Sequence, residues 1–600
     1  GRLTGMSNSS GSDNIFMGDT AGNKNISGGN NTGIGQATLC ANTTGGGNLA
    51  LGNGAGKFNS TGNENIYLGT SAGRCGVSGN CNIAIGHKAA CDGFGTNSHN
   101  VAIGNQAGKL ASGNAQQNTL IGLNAGANLT EGYNTFLGSS VSTAATAAAC
   151  NVVVGYRAGS GLTCGTCNVF MGQCAGAGWK TGTANISIGS RSGPLAGGNG
   201  TGRCNIILGQ CNAEVISTGE VNQIIGAMAG RCLTTGNCNT FIGRIAGGGV
   251  TSGSQNVFIG GNNAGPMICG FSGTYNLGIT FGAMRAAIGN ASRNVALGYY
   301  AGREICCASD NVMIGSNAGC CSKTGNRNVF IGCRAGLGNT TGHCNVYIGQ
   351  QSGPQTCGAT GCYNVTLGML AGCSLTTGNK NIAIGCGAGK ITTSGTDNIF
   401  LGRDAGETNT EGRFNIAIGA DVDLPSATGE CQLAIGRDTN RWIVGDNSFN
   451  VCVAGSAVTM TSGTTSCVIA HRFCGDGSCL TGIGTQNNLG AFDNLVVSGI
   501  ATFHHDVGIS GTLTASRFGL DDDENFIAGT NAGIAITPAS TSACNNFLVG
   551  FNAGRRLLQN HSIIIGCNTG CSNVSGANLI ALGLCAGKNL ISGNDNVLIG

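Results

Sequence analysis

The stretch Thr61–Ala90, TGNENIYLGTSAGRCGVSGNCNIAIGHKAA, contains the same short phrase twice. Asn65 begins NIYLG, and Asn82 begins NIAIG 17 residues later. When this Asn is numbered position 1, aliphatic residues follow at positions 2 and 4, and Gly follows at position 5. Small residues, usually Ala-Gly, occupy positions 8 and 9. A fixed short period is typical of a solenoid, in which each coil packs only on its neighbours.

The repeat covers most of the chain. Copies of N-x-x-x-G run from Asn14, most often in steps of 17 residues, to a variant at Gln432. Steps of 18 to 20 residues occur where extra Gly, Ser or Cys separate two copies, as expected of insertions in a loop. Helix is excluded because the aliphatic residues alternate and every copy contains Gly. The sequence predicts an all-β parallel β-solenoid with one short strand in each 17-residue coil.

The composition narrows the class of protein. The chain of 600 residues has 111 Gly, 41% hydrophobic and 9% charged residues, and a formal net charge of +3. Disordered chains are poorer in aliphatic residues, and nucleic-acid-binding proteins carry dense Lys/Arg patches that are absent here. No run of about 18 apolar residues predicts a membrane span. The 32 Cys indicate an oxidising, extracellular setting.

The Asn at position 1 is nearly invariant within this chain, whereas the turn residues vary. Stacked side-chain amides can hydrogen-bond from coil to coil and fix the register. We therefore predict an Asn ladder that includes Asn48, Asn65, Asn82, Asn151, Asn168, Asn311, Asn328, Asn345, Asn381, Asn398 and Asn415.

Position 3 faces opposite to positions 2 and 4 in a strand. We expect positions 2 and 4 to fill the interior, and position 3, which is never charged, to be covered by other copies of the chain. This inter-chain face would include Phe136, Phe170, Phe241, Phe258, Phe330, Tyr347 and Phe400. Three copies around a common axis would form a homotrimeric fibre. A monomeric β-helix, whose second face is covered by the rest of its own coil, remains the alternative.

The repeat resembles known fibrous proteins. The segment Asn328–Gly349, NVFIGCRAGLGNTTGHCNVYIG, is similar to repeats of phage and bacterial tail-fibre-like and trimeric-adhesin-like proteins. The resemblance covers about Asn14–Gly436 and resumes from about Asn546 to Gly600. It implies the architecture of a fibre more specifically than a function.

A different pattern separates the two repeat regions. Phe473–Ile483, FCGDGSCLTGI, and Asn494–Phe518 resemble alternating segments of phage structural proteins, and their Thr, Val and Ile alternate with polar residues between Gly turns. We predict a repeat shaft at 1–436, an inserted β-rich module at 437–545 and resumed repeats at 546–600.

Several cysteines fall in adjacent coils. Cys150 and Cys167 both precede the Asn of consecutive copies, which predicts a disulfide between stacked coils. Two further staples are predicted: Cys75 with Cys91, and Cys306 or Cys307 with Cys320 or Cys321. The pair Cys164 and Cys167 has zinc spacing but lacks a second pair, so we predict no metal and no cofactor.

The polar residues do not suggest catalysis. His504 and His505 are adjacent and would point to opposite faces of a strand, and the run Asp521–Glu524 lacks the spacing of a calcium loop. The other carboxylates are scattered, so we predict that the chain is not an enzyme. We expect a structural fibre shaft that associates with itself and projects a receptor- or glycan-binding tip outside this segment. A filament made by head-to-tail stacking of solenoid units is the alternative.

Overall fold

The computed structural model describes residues 1–448, 450–453, 526–528, 531–532, 545–557, 560–572 and 577–600. These residues form short strands and turns, and no helix occurs among them. The chain divides into two units, Gly1–Ser466 and Cys467–Gly600. Each unit contains one sheet built largely from parallel strands, so the predicted all-β parallel β-solenoid is confirmed.

The first unit contains 27 strands in one sheet. In chain order they are β1 Ile15–Met17, β2 Thr32–Ile34, β3 Leu49–Leu51, β4 Ile66–Leu68, β5 Ile83–Ile85, β6 Val101–Ile103, β7 Thr119–Ile121, β8 Thr135–Leu137, β9 Val152–Val154, β10 Val169–Met171, β11 Ile186–Ile188, β12 Ile206–Leu208, β13 Gln223–Ile225, β14 Thr240–Ile242, β15 Val257–Ile259, β16 Leu277–Ile279, β17 Val295–Leu297, β18 Val312–Ile314, β19 Val329–Ile331, β20 Val346–Ile348, β21 Val365–Leu367, β22 Ile382–Ile384, β23 Ile399–Leu401, β24 Ile416–Ile418, β25 Leu433–Arg437, β26 Asn440–Gly445 and β27 Val451–Val453.

Strands β1 to β25 stack in parallel with one register. Each strand covers positions 2 to 4 of its coil, and equivalent positions of consecutive coils are paired, as Tyr67 is with Ala84 and Phe330 with Tyr347. The longer coils keep this register because their extra residues lie in the turns, as the pairing of Ile186 with Ile206 shows. The period read from the sequence is therefore the period of the structure.

A hairpin ends the parallel stack of the first unit. Strand β25 pairs antiparallel with β26, and β26 pairs antiparallel with β27. The side of β25 that would accept a further parallel coil is thus occupied by β26. This change of direction follows Gly436, close to the predicted end of the shaft.

Among its described residues, the second unit contains five parallel strands, β28 Phe526–Ala528, β29 Phe547–Val549, β30 Ile563–Ile565, β31 Ile580–Leu582 and β32 Val597–Ile599. Its parallel pairing already includes β28, so it begins before the predicted boundary at residue 546. Most of the module predicted at 437–545 lies outside the described residues. That part includes Phe473–Ile483, Asn494–Phe518, the two adjacent histidines and the acidic run.

The interior of the first unit is filled by position 3, which corrects the predicted orientation of the strands. The residues expected to form an inter-chain face are at most 1% exposed within a single chain: Phe136, Phe170, Phe241, Phe258, Phe330, Tyr347 and Phe400. Positions 2 and 4, which were expected inside, are half-buried or exposed in every one of the strands β1 to β25. The rest of the coil covers position 3, as in the alternative of a β-helix closed by its own coil.

The narrow interior explains this orientation. One large side chain at position 3 reaches across the coil to the Ala-Gly corner at positions 8 and 9. Gly336 has a φ of +58°, and a Cβ on it would lie 2.7 Å from Cδ1 of Phe330. Neighbouring coils either pair a large residue with a small one, as Phe258 packs over Gly278, or stack two rings, as Phe241 does on Phe258. The core is thus filled by matching volumes in adjacent coils.

Position 12 also points inward, which the sequence pattern did not reveal. Its occupants vary between polar and apolar residues, including Asn42, Leu162, Trp179 and Leu233, all with no exposed surface. Asn recurs there in the first coils, but the residue type changes along the chain, so no pattern over the whole repeat region identified the position. It supplies the second large side chain of many coils.

Candidate functional site: the Asn ladder, the cysteines and the aliphatic face

The Asn at position 1 uses all of its side-chain hydrogen-bonding capacity. Asn48 Nδ2 donates to Oδ1 of Asn31 in the preceding coil at 3.0 Å and to the Gly62 carbonyl of its own coil at 2.8 Å. Asn48 Oδ1 accepts from the backbone N–H and from Nδ2 of Asn65, both at 3.0 Å. One carboxamide therefore closes its own coil and joins both neighbouring coils.

The predicted Asn ladder is present. Its predicted members are at most 2% exposed and hydrogen-bond through their side chains: Asn48, Asn65, Asn82, Asn151, Asn168, Asn311, Asn328, Asn345, Asn381, Asn398 and Asn415. The Oδ1 of each accepts the backbone N–H of the next position 1, as Asn398 does from Asn415 at 3.0 Å. A polar row buried for the length of the sheet is stable because every donor and acceptor is satisfied.

A second, shorter Asn row occupies position 12. Asn42 Nδ2 donates to Asn25 Oδ1 at 2.6 Å, and Asn59 Nδ2 donates to Asn42 Oδ1 at 3.1 Å. Each of these side chains also donates to a glycine carbonyl three residues later in its own coil. The recurrence of Asn25, Asn42 and Asn59 at 17-residue steps was the sequence signal for this row.

The Asn ladder ends at Gln432. Its backbone N–H still donates to Asn415 Oδ1 at 2.8 Å. Its longer side chain turns back to Ser426, accepting from the backbone N–H at 2.7 Å and donating to the carbonyl at 2.9 Å. Gln432 therefore closes the ladder at the coil where the parallel strands end.

The predicted disulfides between adjacent coils are not formed. Cys150, Cys167, Cys75, Cys91, Cys306, Cys307 and Cys320 are free, and Cys321 is bonded to Cys357 instead. For Cys150 and Cys167, which hold the same position in consecutive coils, the reason is geometric. Equivalent residues of stacked coils carry parallel side chains about 4.8 Å apart, whereas the two Cβ atoms of a disulfide lie about 3.8 Å apart and point towards each other.

Both disulfides of the described residues join coils that are two steps apart. Cys232 pairs with Cys269, and Cys321 pairs with Cys357, at Cα separations of 5.7 and 5.9 Å. In each case the second cysteine ends an inserted Gly-Pro-x-x-Cys loop, which reaches past the intervening coil. A glycine of that coil donates its backbone N–H to the proline carbonyl of the loop. Gly249 N–H donates to the Pro266 carbonyl, and Gly338 N–H donates to that of Pro354.

A third insertion has the same backbone pattern without a disulfide. Gly178 N–H donates to the Pro194 carbonyl at 2.7 Å, and the residue three positions after this proline is Gly197. The Gly-Pro insertion is therefore a repeated structural element, and the cysteine is an addition to two of its three copies.

The partly buried pair Cys75 and Cys91 shares one carboxylate. Both thiols donate to Asp92 Oδ1, at 3.6 and 3.5 Å, and Arg74 donates to the same oxygen at 2.7 Å. The hydrogen bond from Arg74 lowers the pKa of the Asp92 carboxyl. Burial raises the pKa of both thiols, so little thiolate is present at neutral pH. An activated cysteine nucleophile requires a lowered thiol pKa, and these two thiols have raised pKa values.

Some of the other charged groups form ion pairs between neighbouring coils. Arg293 Nε lies 2.6 Å from Asp310 Oδ1 in the next coil, and Arg203 Nε lies 3.1 Å from Glu220 Oε1. These side chains are well exposed, so the pairs add little to stability. Within the described part of the chain, no group of three His, Cys, Asp or Glu converges on a metal-sized site.

The side chains at positions 2 and 4 of β1 to β25 form a continuous surface, here called the aliphatic face. Position 4 is Ile, Leu, Val or Met in all of these strands. Position 2 is also aliphatic except for Thr32, Thr119, Thr135, Gln223 and Thr240, and neither position is ever charged. Leu137, Met171 and Ile188 are 44%, 40% and 38% exposed. A single chain leaves this apolar face half-exposed from β1 to β25.

Comparison with known proteins assigns neither a family nor a function to the chain. No family model matches the chain, and no curated protein or solved structure matches it significantly. Among the described residues, no helix has the length and apolar character of a membrane span.

Proposed function

We propose that the chain is the structural shaft of an extracellular or virion-surface fibre of the tail-fibre or adhesin type. The observation that carries this proposal is the unbroken, in-register stack of β1 to β25 with one Asn ladder through its interior. Such a solenoid extends by about 4.8 Å for each coil, so these strands span very roughly 120 Å. A uniform rod of this length suits a mechanical role.

A shaft role accounts for where the polar and charged side chains lie. The buried Asn side chains of the ladder satisfy one another, and the paired carboxylates and arginines line the outside of the rod. We propose no catalytic role for the chain, which would use a tip outside this segment to bind a receptor or glycan. The two disulfides favour an oxidising, extracellular location.

The alternative is a filament in which solenoid units stack head to tail. Such stacking requires an open strand edge with free backbone groups. In the first unit, β26 occupies the edge of β25 and Gln432 closes the ladder. These two features favour the shaft over a filament that would grow through this end.

Negative-stain electron microscopy of the purified chain tests the proposal. We expect discrete rods at least about 120 Å long, with the same length in every particle. Open-ended filaments of varying length would support the alternative instead. Compact globular particles would contradict both.

A further inference from the structure

We infer that the aliphatic face is the surface through which copies of this chain pack side by side, in parallel and around a common axis. The inference rests on the proposed shaft, and it takes the number of copies, three, and their common direction from the homotrimeric fibre predicted from the sequence. It replaces the predicted inter-chain face at position 3, which the chain covers by itself.

The first argument is the absence of polar residues at position 4 of this half-exposed surface. Strand positions that face water are well served by Thr, and the exposed turns of this chain carry charges such as Lys88 and Arg157. Position 4 nevertheless contains neither Thr nor a charged residue in any of its twenty-five coils. Exposed apolar patches larger than a few hundred Å² mark contact surfaces.

The second argument is area. A strip two side chains wide, roughly 7 Å, that follows the stack for about 120 Å offers on the order of 800 Å². A stable protein interface buries about 800 Å² on each partner. In a trimer each copy divides this strip between two neighbours, about 400 Å² to each. The three contacts together bury on the order of 2,400 Å², which is within the range of stable assemblies.

The third argument identifies the partner. An occupant that covers this strip evenly must be equally long, and it must present apolar groups at the 4.8 Å spacing of stacked strands. A second copy of the same face meets both conditions. A lipid surface is disfavoured, because interfacial binding uses Trp and basic residues beside the apolar strip. Neither Trp lies on this face, since Trp179 is buried in the core and Trp442 belongs to the hairpin.

Along the aliphatic face, the residues at position 2 form one column and those at position 4 form a second column. Packing around a threefold axis gives these two columns different neighbours. Position 2 of one chain would face position 4 of the next, and the ring closes after three copies. The Thr and Gln residues occur only at position 2. Position 4, where only aliphatic residues and Met occur, is then the more deeply buried column of the assembly.

The test uses a charged variant of the full chain and a matched control. Leu137→Lys with Met171→Lys places two charges on the aliphatic face, in alternate coils. Leu123→Lys with Gln173→Lys places the same charges on the same part of the rod, at position 6. Leu123 is 46% exposed, against 44% for Leu137, so the control loses an equally exposed leucine.

Sedimentation velocity and mass photometry report the number of copies. We expect the unmodified chain and the control to be trimers, and the face variant to dissociate with an affinity lowered about 100-fold or more, because buried unpaired charges are costly. Circular dichroism should show unchanged strand content, since both substituted positions are half-exposed in one chain. If the two lysines impair folding, Leu137→Thr with Met171→Thr is a milder variant, and we expect it too to associate more weakly than the control.

Two outcomes overturn the inference: an unmodified chain that stays monomeric at micromolar concentration, or a folded face variant that assembles like the control. Electron microscopy separates these failures from failure of the proposed function. Single unassociated rods would leave the shaft in place and remove only the aliphatic face as an interface. The absence of rods would remove the shaft itself.

Discussion

At the scale of single residues, the Asn ladder depends on a side chain that both donates and accepts. Asn48 makes two donor and two acceptor contacts at distances of 2.8 to 3.0 Å. Asp has the same shape but no donor, and Gln is one carbon longer and turns away at Gln432. Asn alone fits the requirement, which explains why position 1 is Asn in every coil from β1 to β24. The second unit departs from this rule, with Ser562 and Leu579 at position 1.

Replacing Asn48 by Asp should destabilise the local coils strongly. The substitution removes both donors and buries a carboxylate beside Asn31 Oδ1, so we expect a loss of about 3 kcal/mol or more. Hydrogen exchange of peptides from residues 31–82 measures the effect as faster exchange than in the unmodified chain.

Asn290→Asp is the matched control for this experiment. Asn290 is exposed and lies in a turn, so the same chemical change should leave exchange unchanged there. Equal effects of the two substitutions would show that the ladder does not stabilise the coils.

The buried tyrosines make stability depend on alkaline pH. Burial raises the pKa of Tyr67 and of Tyr347 above the usual value of about 10. Below pH 10 both the folded and the unfolded chain keep these phenols protonated, and stability is fully retained. Above it only the unfolded chain ionises, so stability falls by about 1.4 kcal/mol per tyrosine for each pH unit.

Tyr67→Phe should make this decline less steep, because the phenylalanine cannot ionise. Tyr133→Phe, at an exposed position, should leave the pH profile as it is. Denaturant unfolding between pH 8 and 11, followed by circular dichroism, measures both. A profile for Tyr67→Phe identical to that of the unmodified chain would contradict burial of Tyr67.

At the scale of elements, the strand-ending Gly at position 5 is required by the conformation of the turn and by the neighbouring coil. Gly86 has a φ of +127°, and a Cβ there would lie 2.7 Å from the Gly104 carbonyl oxygen. We expect Gly86→Ala to cost about 2 kcal/mol or more, because the backbone is strained and the coils are forced apart. Thermal unfolding measures the change.

Gly261→Ala is the control for this glycine. A Cβ on Gly261 meets nothing within 4 Å, and its backbone does not adopt a positive φ. Its melting temperature should therefore match that of the unmodified chain, and a drop as large as that of Gly86→Ala would argue against the stacking geometry.

The disulfide loops should stabilise the coils that they span. Cys232→Ser with Cys269→Ser removes one closed loop, and we expect about 2 to 4 kcal/mol of local stability to be lost. Hydrogen exchange of residues 222–275 should then become faster, while that of residues 31–82 stays the same. Cys150→Ser, which removes a free and exposed thiol, should change neither region.

The strands, the period and the Asn ladder could be predicted from the sequence, because one Asn recurs at a constant spacing. The orientation of the strands could not be predicted, since positions 2, 3 and 4 are all uncharged and alternation alone does not say which face closes. The space required by Phe330 beside Gly336 decides the orientation, and it depends on how the coil turns. The disulfides were missed because Cys269 and Cys357 lie in insertions that leave the repeat.

At the scale of the whole molecule, each coil contacts only its neighbours, so stability accumulates from local terms. A disrupted coil near Asn48 should therefore leave coils near Asn381 protected from exchange. This behaviour suits a shaft, because local damage does not unfold the rod. It also makes the aliphatic face, which runs the length of the stack, the feature able to couple distant coils through neighbouring copies.

The most direct measurement of the central claim, that each coil buries its position 3 within its own chain and stacks in register, is a cryo-electron-microscopy map of the purified chain. We predict coils spaced by about 4.8 Å, with the rings of Phe136, Phe170 and Phe330 at the centre of each coil. Rings that lie between chains or in solvent, or coils without a constant spacing, would contradict it.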